Sequence, residues 1–183
     1  MKIHISKLDA AKRQLEAAIN IFFHEGDPVS IHSLSRASHE ILESLGKKQG
    51  VKSVIEMGLE QSIKPGKWKE IKNKLNIPKN FTKHADKDSD GVLEFHTELP
   101  EYYLWDACRL YMLLTQERPK DILVYYLWFT IKNPDTIDDS KFPFPQLSQS
   151  ILSLGSSFNR NDKQQSYLVL SSAYDTAKIT NKI

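Results

Sequence analysis

Residues 83–91, Lys-His-Ala-Asp-Lys-Asp-Ser-Asp-Gly, gather most of the chemistry-bearing side-chain types of this 183-residue chain into one stretch. An imidazole titrates near neutral pH, so His84 is the side-chain type suited to taking or giving a proton. Asp86, Asp88 and Asp90 set carboxylates at alternate positions ahead of Gly91. Hard oxygens in alternation, with a glycine to allow the sharp turn, are what a calcium ion needs. Just upstream, Lys79, Asn80 and Lys83 offer donors to phosphate oxygens, while Trp68 and Phe81 offer rings on which a base could stack. Three chemistries are therefore open: proton transfer on a phosphate ester, cation binding, or an Asp-rich turn whose side chains bond the local backbone.

The charge pattern narrows the ligand. A formal net charge of +2 is too small to call for a long polyanionic partner. Its distribution says more. From Lys64 to Lys83 there are seven lysines and a single acid, Glu70, after which come Asp86, Asp88, Asp90, Glu94, Glu98 and Glu101. A basic block runs into an acidic one at His84. The acids would repel a long nucleic acid, so a nucleotide, or a short single strand entering from the basic side, is the better fit.

Two resemblances rest on these residues. Asp86, Asp88, Asp90 and Gly91, with Leu93 two positions on, resemble the first half of an EF-hand loop, which implies calcium at the three aspartates. The second half departs: Thr97 stands where that loop carries its bidentate glutamate, and Glu98 comes one residue late. Lys79, Asn80 and His84 resemble the R-[ND]-x4-6-H signature of HEPN domains, a family of helical bundles that includes metal-independent ribonucleases and nucleotide-binding proteins. That resemblance implies an all-α fold with a polar site where two helices meet. By position, His84 would be the general base on the ribose 2′-OH, Lys79 the phosphate cation and Asn80 the orienting group. Lysine in place of arginine gives up bidentate phosphate recognition. No cofactor is needed on this reading. The stretch around "GDPVSIHSL" together with "KHADKD" is also similar to a set of bacterial helical proteins, a similarity that implies no function. The alternative to cofactor-free chemistry is a divalent metal ion, held by Asp86, Asp88 and Asp90 or by His32 meeting His84, Asp86 or Asp88.

These groups need elements to position them, and the periodicity predicts helices. Ser6 with Asp9 reads as a capping box opening a helix over 7–24, closed by Gly26. Leu8, Ala11, Leu15, Ala18, Ile19 and Phe22 form its buried stripe. Asp27 and Pro28 open a second helix, stopped at Gly46, with Ile31, Leu34, Ala37, Ser38, Ile41 and Leu45 on its inner face. His32, Arg36, His39 and Glu43 fall on the opposite face, the expected wet side, where His32, Arg36 and His39 form a ligand-binding surface beside the 79–90 segment. A short helix over 51–59 follows, then a helical stretch through Trp68, Ile71 and Leu75, with Pro78 starting a further turn.

Pro100 and Pro119 open two long apolar helices rich in aromatic residues, and Cys108 sits in that core as a small hydrophobe. Residues 134–146 read as loop and 146–154 as a short helix. The last helix, capped at Asn161-Asp162, buries Tyr167, Leu168, Leu170, Ala173, Tyr174 and Ala177.

The class that results is all-α, a single-domain bundle of about six to eight helices. N-terminal helices span 1–62, the Lys-rich then Asp-rich segment 63–98, and the C-terminal aromatic-cored helices 99–183. A single cysteine excludes an internal disulfide and a Cys-rich metal site. No apolar run reaches membrane-spanning length and no secretory leader is evident, so a cytoplasmic protein is expected. Two helices apolar almost all round mark either the central helices of a bundle or a buried dimer interface, so a homodimer is expected. The functional expectation is nucleotide or RNA binding with His84 as general base. The alternatives are a non-enzymatic helical interaction or regulatory protein, or a His/Asp metal site.

Overall fold

The computed structural model describes residues 1–55, 57, 68–84, 86, 88–133, 159 and 161–179, with only the backbone given at 68–72, 74 and 179. The described residues form six helices: α1 Lys7–Phe23, α2 Pro28–Lys47, α3 Trp68–Phe81, α4 Leu99–Thr115, α5 Lys120–Lys132 and α6 Lys163–Ile179. No strand occurs among them, and the all-α bundle is as expected. None of these helices is long and apolar enough to cross a membrane. The loop over 134–146 and the short helix over 146–154 lie outside the described residues, as do residues 56, 58 and 59 of the expected 51–59 helix, in which 51–53 are not helical and 54, 55 and 57 are.

Local chemistry sets the helix starts. The Ser6 hydroxyl accepts from the Asp9 amide at 3.0 Å, and the Asp9 carboxylate accepts from the Ser6 amide at 3.1 Å. Asp27 accepts from the Ser30 amide at 2.7 Å with Pro28 just inside α2, and Asp162 accepts from the Gln165 amide at 2.9 Å to start α6.

The ends are less faithful to the sequence reading. After α1 the left-handed residue is Glu25, at φ 55°, not Gly26. Gly46 does not stop α2 but lies within it, where a Cβ would meet the Val51 carbonyl oxygen at 2.6 Å. The reversal falls on Gly50, at φ 74°. Gly46 is needed for close approach and Gly50 for handedness. Pro78 likewise starts nothing: it lies inside α3, where its missing N–H costs one bond near the helix end.

The core is where the aromatic helices were expected to place it. α2 packs between α1 and α4, while α5 packs on α4, α1 and α6. Phe22 meets Tyr125 and Trp128 edge-on at 5.1 and 4.7 Å, and Trp105 stacks on Phe129 at 5.4 Å. Cys108 is fully buried among them, and burial pushes its thiol pKa well up. Leu168 is a miss: it faces outward, 68% exposed, while Ser166 and Leu170 turn in. α3 leans chiefly on α2, outside this core.

Candidate functional site

The face of α2 expected to be wet is buried. His32 is 0%, His39 2% and Arg36 7% exposed, because α4 lays Tyr103 and Asp106 along it. Two groups of interactions share that face.

The first centres on Asp106, which has no exposed surface. Its carboxylate accepts from His39 Nε2 at 2.9 Å, Ser53 Oγ at 2.6 Å, Arg109 Nε at 2.9 Å and the Val54 amide at 3.3 Å. Arg109 also donates to the Lys52 carbonyl. Burial works to raise the Asp106 pKa, but the His39 hydrogen bond, the Arg109 charge and Ser53 together hold it down at about 2. This node ties α2, the segment after it and α4 together. Reading the sequence for functional residues missed Asp106, Ser53 and Arg109. The available signal was an aspartate and an arginine inside the apolar run "YYLWDACRLYM", where a buried charge demands partners.

The second group faces α3. The Arg36 guanidinium lies over the Tyr103 ring at 4.1 Å and donates to Asn76 Oδ1 at 2.9 Å and Glu40 Oε1 at 3.2 Å. Lys79 Nζ donates to the same Glu40 oxygen at 2.6 Å. Lys83 is near enough for its charge to lower the pKa of Glu40 and of His32. Three cations thus act on one carboxylate. Burial favours protonating Glu40, yet the Lys79 hydrogen bond and the three positive charges win and hold its pKa below the usual value.

His32 is the odd member. Its ring packs edge-on to Phe95 and Tyr103, at 5.4 and 6.0 Å, and neither ring nitrogen has a hydrogen-bond partner among the described residues. Arg36 Nε is in the same position. Burial, then the Arg36 and Lys83 charges, push the His32 pKa down to about 4.

Around the corner of α3 lies an open cleft of about 340 Å³ lined, among the described residues, by Ile77, Asn80, Phe81, His84 and Asp88. Helical geometry explains the division: residues 76, 79 and 83 share one side, and 77, 80, 81 and 84 share a side about 120° away. The His84 amide donates to the Asn80 carbonyl at 3.0 Å, so the turn continues that far. The His84 side chain is 62% exposed, with Nδ1 at 4.0 Å from Asp86 Oδ1.

The expected site residues therefore divide. Asn80, Phe81 and His84 meet in the cleft, whereas the Lys79 amine is engaged by Glu40 on the neighbouring side. Lys83 is exposed toward α2, and the Trp68 side chain lies outside the described residues. His32 and Arg36 belong to the α2–α3 cluster, and His39 belongs to the Asp106 node. Asp86, Asp88 and Asp90 are exposed, and the Gly91 amide closes a turn onto the Asp88 carbonyl at 2.8 Å. Among the described residues no three His, Cys, Asp or Glu side chains converge as a metal ion would require.

Comparison of the chain with family models, with curated proteins and with solved structures finds no match in any of the three.

Proposed function

We propose that this helical protein binds a nucleotide or a short single strand of RNA across the α2–α3 face and the adjoining cleft. The observation that carries the reading is the pairing of Arg36 and Lys79 with the single carboxylate of Glu40, on which the Lys83 charge also acts, beside a cleft holding Asn80, Phe81 and His84. The cations suit a phosphate. Phe81 gives a face for base stacking, and Asn80 can donate or accept at a base or ribose edge. His84 is the exposed imidazole of that cleft, available to a ribose hydroxyl for proton transfer, as the HEPN resemblance implies.

Calorimetric titration with AMP and a short oligouridylate tests binding. Lys83→Glu reverses one exposed charge and should weaken both ligands about ten-fold or more at low salt, with an unchanged melting temperature. Unaltered affinity would remove the cationic face from the reading. For catalysis, His84→Ala should abolish cleavage of single-stranded RNA, and cleavage that persists would exclude His84 from the chemistry.

A further inference from the structure

The α2–α3 cluster carries a more specific conclusion, which rests on the binding proposed above. We propose that this site is built for the dianionic terminal phosphate of a nucleotide, which replaces Glu40 between Arg36, Lys79 and Lys83 while the buried His32 takes up a proton.

The charge count sets the ligand class. With Glu40 displaced, Arg36, Lys79 and Lys83 present three positive charges to the incoming anion. A phosphomonoester carries close to two negative charges at neutral pH. A phosphodiester carries one and leaves two of the three uncompensated. Glu40 is also the member best placed to leave: its side chain is 37% exposed, against 22% for Lys79 and 8% for Arg36. It can swing into water, where a carboxylate loses little.

His32 supplies the second argument. A fully buried imidazole with both nitrogens unpartnered among the described residues is a cost the fold carries without structural return. The charged groups facing it are Arg36 from α2 and Lys83 from the end of α3, both positive. From α4 it meets the Tyr103 ring, and from the connecting segment the Phe95 ring, neither of them charged. Glu40 is hydrogen-bonded to Arg36 and carries the influence of the Lys83 charge as well. A dianion placed among them reverses the local field and makes the imidazolium favourable, so anion binding and proton uptake are linked.

The test is calorimetry on the full chain with AMP, 3′,5′-cyclic AMP and sulfate. AMP should bind about ten-fold or more tightly than its cyclic diester, since only AMP offers the second charge. Sulfate remains a dianion across the range and isolates the protein's own titration. If binding returns the His32 pKa from about 4 to its ordinary 6.5, sulfate affinity rises about twenty-fold from pH 7 to pH 5. His32→Leu should flatten that rise. Glu40→Gln, at a part-exposed position that leaves the core untouched, should strengthen sulfate binding by removing the competing carboxylate. Equal affinity for AMP and the cyclic diester, a pH-independent sulfate affinity, a rise that survives in His32→Leu, or weaker binding in Glu40→Gln would each overturn the inference. Failure of AMP and oligouridylate to bind at all would instead overturn the binding function on which it rests.

Discussion

Replacing His32 by leucine should change how the stability of this protein depends on pH, and the size of the change follows from the site. The imidazole titrates at about 4 in the folded chain and at 6.5 when unfolding frees it from burial and from the Arg36 and Lys83 charges. Between those values the unfolded chain binds the extra proton, so stability rises with pH across the window. It is fully present above pH 6.5 and is lost as pH falls toward 4. At about pH 4.5 the loss relative to pH 7.5 is about 2.5 kcal/mol from this one group, which is substantial against ordinary domain stability. Asp106 does not confuse the reading, because its stabilisation is lost only below the usual carboxylate range, toward 2. Urea denaturation at a series of pH values, with wild type and His32→Leu side by side, measures the difference. Leucine removes two unpartnered buried nitrogens, so the variant should match or exceed wild type at pH 7.5 and be more stable by about 2 kcal/mol near pH 4.5. Parallel curves for the two proteins would refute the argument, since they would mean that His32 is solvated or partnered in solution.

Asp106→Ala leaves the buried His39 without its acceptor and the half-buried Arg109 with only the Lys52 carbonyl, and should cost about 3–5 kcal/mol by denaturant melting; a loss below about 1 kcal/mol would show the node to be dispensable. Gly50→Ala has open space around the added methyl group yet should cost about 1 kcal/mol, because φ is 74° there, and a neutral result would place the reversal at another residue.

The separation between what was legible and what was not follows the range of the forces involved. Ser6-Asp9 and Asp27 mark helix starts because a cap acts over three or four residues and needs no partner from elsewhere, and Pro100 and Pro119 do so because proline's fixed φ and missing N–H suit a helix's opening residues. The aromatic core of α4 and α5 was legible because helices that are apolar nearly all round have only one place to go. Gly46 misled because close packing and left-handed geometry both select glycine, and only the approach of Val51 tells them apart.

The candidate site divides in the same way. The sequence alone placed Asn80, Phe81 and His84 within one turn of each other, and the cleft gathers them because local helical geometry fixes their spacing. The amphipathic pattern, by contrast, assigned His32, Arg36 and His39 to solvent, since periodicity reports which residues are apolar and not which surfaces meet. Tertiary structure decided otherwise. Asp106, 67 residues from His39 in the chain, supplies the carboxylate that lets a polar helix face be buried. Asn76 and Lys79, 40 and 39 residues away from their partners on α2, complete the seam. Hydrogen-bonded partners of opposite charge make burial of polar groups affordable, and no local pattern records where those partners will come from.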